Sequence, residues 1–257
     1  METVIEYVIA IVALSSFVLA GFFDWKTREI NPKIWIIPIS TGVAMNAIYI
    51  FLMKNHCVNS ILLFQIGITT FLVILIAVLV FVFNLLGGAD FMGMISFAAL
   101  YPFNRLFACN YKMFTENNIY IFLLNFLPPI LWLLIIHSII MVLFILENAI
   151  SNIIKYREIQ QLNLSLCRKL FLIVFNRFMR VEEYLKKKFY YPVYVPGIID
   201  RLTFNIYEDD DAWKKKLEKL PKDTIIVVSW GIPMVSFLSI SIAIYVTLYM
   251  MFYLSIT

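Results

Sequence analysis

Phe71-Leu-Val-Ile-Leu-Ile-Ala-Val-Leu-Val80-Phe-Val-Phe-Asn84-Leu-Leu-Gly87-Gly88-Ala89-Asp90 decides how the chain is read. It closes an apolar block over 60–86 that contains no charged residue. A helix needs roughly 20 residues to cross the hydrocarbon layer, so this block is long enough to span. The charge that ends it is the carboxylate of Asp90, one alanine beyond two glycines. Similar blocks cover 4–23, 34–53, 118–146 and 230–254, and a shorter one covers 90–103. Of the 257 residues, 62% are hydrophobic and 15% charged, whereas soluble domains carry about 25% charged residues. The pattern predicts an all-α polytopic membrane protein with six transmembrane helices, the fourth short or tilted. A five-helix chain with one re-entrant segment is the alternative. Block 4–23 lacks a basic leader region and a small-residue cleavage signal, so it is expected to be retained.

Charge placement predicts orientation. With the N-terminus outside, inner segments hold 18 of the 21 lysines and arginines, and Lys54, Arg105 and Lys112 lie outside. This is the positive-inside pattern, with Lys26, Arg28 and Lys33 already concentrated in one short loop. Both termini are then expected outside. Residues 1–147 hold five helices, 148–229 form a small cytoplasmic domain, and 230–257 hold the sixth helix. The net charge of +4 is explained by membrane orientation, and nucleic acid is not an expected partner.

Windows 165–175 and 180–189 alternate apolar and charged residues at helical spacing, which fits contact with membrane lipid or a partner surface. Residues 190–197, Tyr-Tyr-Pro-Val-Tyr-Val-Pro-Gly, read as a breaker-rich turn; 202–207 and 224–229 read as short strands. Residues 208–211, Glu-Asp-Asp-Asp, read as a solvated acidic turn, with a divalent-cation site as the alternative. Cys57, Cys109 and Cys167 are too widely spaced for a metal quartet or a disulfide framework. His56 falls outside and His137 mid-segment, so no shared ligand cluster is expected, and His137 reads as a packed helix residue. Phosphate-loop, dinucleotide, zinc-helix and serine-nucleophile motifs are absent from the sequence. No cofactor or metal is expected.

Ionisable residues at the edges of apolar blocks are costly and therefore informative. Asp24 closes the first block in Gly21-Phe-Phe-Asp24-Trp-Lys26-Thr-Arg28, and Asp90 opens the fourth. The predicted topology puts both at the cytoplasmic membrane boundary. Two facing carboxylates share a proton near neutral pH; one then activates water and the other protonates a carbonyl oxygen. Gly87 and Gly88 would let an extended chain approach. The plainer reading makes Asp90 a helix cap and Asp24 an interfacial anchor. Glu147 reads as an interfacial charge, with a place at the cleft as the alternative.

Asp24-Trp-Lys26-Thr-Arg28-Glu-Ile30-Asn31-Pro32 and Gly87-Gly88-Ala89-Asp90 resemble the paired motifs of archaeal preflagellin peptidases, relatives of bacterial type IV prepilin peptidases and of presenilin-type aspartic proteases. The order of helices, with an insert before the last, is also similar. The chain departs from the family pattern in having Asn31-Pro32 where Pro-Asn is usual. It also has Met92 where bacterial enzymes carry lysine, and it lacks the four-cysteine loop and the larger N-terminal domain tied to pilin methylation. The resemblance implies an aspartic endopeptidase with Asp24 and Asp90 as the catalytic pair. Gly87, Gly88, Ala89, Lys26 and Arg28 would then support the cleft. The expected partners are preflagellin or pilin-like precursors, cut after a glycine on the cytoplasmic side. A non-enzymatic scaffold or small transporter is the competing class. If the acidic run at 208–211 receives the basic leader, alanine at those four positions lowers processing of basic leaders more than of neutralised ones. Equal loss in a cleavage assay removes that role.

Overall fold

Long apolar sequences with few breakers form helices because the bilayer offers no hydrogen-bond partner to an open backbone. In the computed structural model, which describes residues 2–52, 59–82, 87–105, 126–154, 165–201 and 208–256, helices dominate. They are α1 (Glu2–Thr27), α2 (Ile36–Leu52), α3 (Asn59–Phe81), α4 (Gly88–Leu100), α5 (Pro129–Ile154), α6 (Leu166–Phe175), α7 (Val181–Leu185), α8 (Asp210–Leu217) and α9 (Met234–Ile256). Four strands join them: β1 (Arg177–Arg180), β2 (Tyr190–Val195), β3 (Ile199–Asp200) and β4 (Ile225–Trp230). Among the described residues, five helices are long and apolar enough to cross a membrane: Glu2–Thr27, Pro32–Leu52, Ser60–Phe81, Pro129–Ile154 and Met234–Ser255. This is the architecture of a mostly helical, polytopic membrane protein. Helix α4, at 13 residues, is about 20 Å long and falls short of a hydrocarbon core of about 30 Å.

The fifth helix differs from the expected 118–146. Its described part begins at Pro129, where a missing N–H costs nothing in the first turn, and it runs on to Ile154; 118–125 lie outside the described residues. The last helix begins at Met234 rather than 230, because β4 extends through Trp230 and Pro233 precedes the first turn.

The chain divides into two compact units, residues 1–140 with 233–257, and residues 141–232. In the first, α1 packs against α9 through a face of small residues that includes Ala10, Ala13, Ala20 and Gly21. Close helix approach through small residues is the usual mode in lipid. The serine hydroxyls complete it: Ser239 Oγ donates to the Phe17 carbonyl at 2.6 Å, and Ser236 Oγ to the Gly21 carbonyl at 2.8 Å. Helices α2 and α4 meet just as closely. A Cβ at Gly42 would lie 2.5 Å from the Ala99 carbonyl, so only glycine fits there. One turn on, Asn46 Nδ2 donates to the carbonyls of Gly42, Ala99 and Leu100.

A buried ion pair completes this unit. Arg105 Nε and Nη2 donate to the two oxygens of Glu6 at 2.6 and 2.8 Å, and Nη1 donates to Asn46 Oδ1 and the Leu100 carbonyl. The Arg105 and Glu6 side chains are 0% and 1% exposed. The Tyr101 ring lies under the guanidinium, 5.1 Å from its carbon, and stacks edge-on with Tyr245 and Tyr249.

The second unit holds an antiparallel sheet in the order β1-β4-β2-β3. Residues 224–229 fulfil their strand expectation as β4, whereas 202–207 lie outside the described residues. The expected turn at 190–197 is strand β2 through Val195. Its tyrosines and valines suit a strand, and Pro192 is accommodated by a register shift against β4 between Pro192 and Tyr194. The helix expected over 180–189 shrinks to the five residues of α7.

Removing one partner of a buried ion pair costs about 3–5 kcal/mol, far more than removing both. Glu6→Ala is therefore expected to lower the thermal midpoint in detergent strongly. The double variant Glu6→Ala with Arg105→Leu should recover much of that loss. Equal midpoints for Glu6→Ala and wild type would contradict the pair's role.

Candidate functional site

Helix α1 ends where the sequence stops supporting it. Arg28 turns left-handed (φ 61°), and its N–H donates to the Asp24 carbonyl at 3.2 Å. This is a one-bond helix stop that glycine normally fills. Asn31 follows; its side chain accepts from the Lys33 N–H at 3.0 Å and starts the short 3-10 helix Pro32–Trp35. Asp24 thus sits in the last turn of α1, and it is buried.

The Asp24 carboxylate points at the start of α9. Its Oδ2 accepts from the Ser236 N–H at 3.0 Å and from Ser236 Oγ at 3.2 Å. Backbone N–H groups in the first turn of a helix have no partner within the helix and favour an anion there. Proline at 233 and serine at 236 therefore build a seat for Asp24.

Asp90 is the third residue of α4, half-buried, and its Oδ2 accepts the Gly87 N–H at 3.0 Å. That is one half of a capping box, so the cap reading of Asp90 holds at the level of local structure. Gly87 has an ordinary extended backbone (φ −76°). A Cβ there would stand 3.0 Å from Asp90 Oδ2, while one at Gly88 would meet nothing. Close approach to the carboxylate, and not backbone freedom, is what glycine at 87 provides.

Helices α1 and α4 are in contact, and Asp24 lies near enough for its charge to be felt at Asp90, more weakly than burial and the Gly87 hydrogen bond. Residues 66 positions apart in sequence thus form a pair of carboxylates within the same helical unit. Chemically, such a pair can hold a water and exchange protons with it. Around them, Gly87 and Gly88 are exposed and Ala89 packs partly into the core. Lys26 is exposed, with its ammonium 5.8 Å from the Phe22 ring centroid.

Other candidates have separate employment. His137 is buried, with Nδ1 3.2 Å from Ser241 Oγ; His56 lies outside the described residues. Glu147 forms an exposed ion pair with Arg177 at 3.2 Å. In the acidic run, Glu208 pairs with Arg201 and accepts from the Trp213 indole. Asp209 caps α8, and Asp210 pairs with Lys214 at 2.8 Å. No group of three metal-ligating side chains forms among the described residues.

Ser236 was not singled out by sequence reasoning. The available signal is two hydroxyls, Ser236 and Ser239, three residues apart in an apolar helix that follows a proline. No protein-family profile matches the chain, and no curated protein matches it.

Asp24→Ala would leave the Ser236 N–H without an acceptor, at a cost of about 1–3 kcal/mol for a buried group, while the Ser236 hydroxyl keeps the Gly21 carbonyl. Asp24→Asn keeps an acceptor oxygen and should cost less. Thermal unfolding in detergent that ranks Asp24→Ala no worse than Asp24→Asn would refute this seat.

Proposed function

We propose that the chain is a membrane aspartic endopeptidase in which Asp24 and Asp90 act as a pair on an amide bond. The observation that carries this reading is the placement of the two carboxylates, one in the last turn of α1 and one in the first turn of α4, two helices in contact, and each in a motif of the kind preflagellin peptidases use. Asp24, with two donors on Oδ2, takes the proton from a water held between the pair. The resulting hydroxide attacks the scissile carbonyl. Asp90 donates its proton to the carbonyl oxygen, and on collapse of the gem-diol intermediate the proton taken by Asp24 goes to the leaving amine while Asp90 takes a hydroxyl proton back. No covalent intermediate forms.

The substrate class follows from the motif resemblance: preflagellin or pilin-like precursors with a short basic leader, cut after glycine. In this reading α4 is the fourth of six membrane segments. The N- and C-termini lie outside, residues 148–229 are cytoplasmic, and the aspartates stand at the cytoplasmic rim. The bond from the Gly87 N–H to Asp90 favours a second reading, a non-enzymatic membrane scaffold in which Asp90 only caps α4.

A cleavage assay separates them. Purified protein in lipid is mixed with an archaeal preflagellin, and the product N-terminus is sequenced, for wild type, Asp24→Asn, Asp90→Asn and Lys54→Ala. Wild type and Lys54→Ala are expected to cut after glycine. Each folded Asn variant should lose at least about 100-fold in rate, the lower range for removing an acid–base group. A folded Asn variant that cuts at the wild-type rate ends the pair mechanism, and cleavage by none of the four favours the scaffold.

A further inference from the structure

Helix α6 is built inside out for a helix facing water. Its exposed residues are Leu166 (74%), Cys167, Leu170 (55%), Phe171 and Phe175 (55%), with Val174 half-buried among them. At 100° per residue these six span about 180° of the helix, and none is charged. The two charged residues, Arg168 and Lys169, are both half-buried on the other side. There Arg168 pairs with Asp200 of β3, and Leu172 and Ile173 are buried with Phe178, Val193 and Val227. A water-facing helix carries its charges outward. Phe171 and Phe175 pack ring to ring at 5.0 Å on the exposed side, and no described residue covers the face.

The position of α6 says what does cover it. Helix α5 has 26 residues and is about 39 Å long, so its last turns emerge from a hydrocarbon core of about 30 Å. Those turns hold α6. Asn148 Nδ2 donates to the carbonyls of Val174 and Asn176 at 3.1 and 2.9 Å, and Asn152 Nδ2 to those of Ile173 and Asn176 at 2.7 and 2.6 Å. Asn152 Oδ1 also accepts the Phe178 N–H at 3.2 Å. The C-terminal end of α6 is therefore fixed at the depth where a membrane-crossing helix leaves the bilayer. The outward side chains of α5 at that level, Ile150, Ile153 and Ile154, are apolar and exposed as well. Charge agrees: residues 141–232 contain 15 lysines and arginines against 11 acidic residues, while the rest of the chain has six of each. The whole net charge of +4 lies in this unit, as attraction to anionic headgroups requires.

We infer that α6 is an in-plane interfacial helix, its Leu166/Leu170/Phe171/Phe175 face inserted into the bilayer surface at the C-terminal end of α5, with lipid as its partner. Such a helix sinks about 5–10 Å into the headgroup–acyl boundary, and the two asparagines set its height. The inference does not depend on the peptidase reading.

The test uses the unaltered chain in vesicles of phosphatidylcholine and phosphatidylglycerol whose acyl chains carry a photoactivatable diazirine near the carbonyl. After illumination, lipid adducts are mapped by peptide mass spectrometry. Adducts on residues 166–175 within about twofold of those on residues 150–154 are expected for a helix at this depth. In the same vesicles, a charged maleimide should label Cys167 at least about tenfold more slowly than after detergent solubilisation, because the face is withdrawn from water. No adducts on 166–175 while 150–154 are labelled would overturn the inference. Fast Cys167 labelling in vesicles would then place the face in water. Slow labelling without adducts would instead mean that protein covers it, either another part of this chain or a second copy.

Discussion

The buried pair of Glu6 and Arg105 is the constraint on which the helical unit depends. Each charge alone would be costly inside an apolar bundle; together they satisfy five hydrogen-bonding atoms across three parts of the chain. Arg105 follows α4, Glu6 lies in the second turn of α1, and Asn46 belongs to α2. Asn46 accepts from the guanidinium and donates to the last carbonyls of α4, so α2 cannot shift along α4 without breaking the network. Gly42 enforces the same register by sterics, since any side chain there would strike the α4 backbone. Apolar packing in lipid is weakly directional. Register between these helices therefore falls to the few polar groups.

Helix α3 repeats the principle with neutral groups. It is almost wholly apolar, and its outward faces carry Leu63, Phe71, Ile74 and Phe81. Its inward polar residues are specific: Gln65 Oε1 accepts the Asn104 N–H at 2.7 Å, and Thr69 donates to the Pro102 carbonyl at 2.9 Å. These bonds satisfy backbone groups of the irregular stretch after α4. Non-helical backbone at membrane depth persists only where protein supplies such partners.

What could be read from sequence follows the range of the interactions. The apolar blocks announce the membrane helices because block length is a local property. Helix α4 is legible as an oddity for the same reason. The amphipathic window at 165–175 also forms its helix. The ion pair was not legible, because Glu6 and Arg105 are 99 positions apart, and each read alone is only a charge near a segment end. Ser236 escaped notice because serine in an apolar helix commonly bonds its own preceding turn. Here Ser241 does bond back to Phe237, whereas Ser236 is turned toward Asp24 and the Gly21 carbonyl. Strand β2 was misread as a turn because Pro192 and Pro196 are strong local breakers. Pairing with both β4 and β3 outweighs them.

The short fourth helix bears on how far from the buried ion pair each aspartate lies along its own stretch of chain. From Glu6 to Asp24 along α1 is about 27 Å at 1.5 Å per residue. From Asp90 to Leu100 along α4 is only about 15 Å. The five steps from Leu100 to Arg105 pass through residues 101–104, which are not helical, and such a chain reaches up to about 3.3 Å per residue. Helix and tail together reach at most about 30 Å, enough to match the α1 span. A chain pinned at Glu6–Arg105 can thus match the α1 span because α4 stops early and unwinds. A fully helical path over the same residues would cover about 22 Å and fall short of it. The shortness of α4 is therefore what lets the stretch from Asp90 to Arg105 run as long as the stretch of α1 from Glu6 to Asp24.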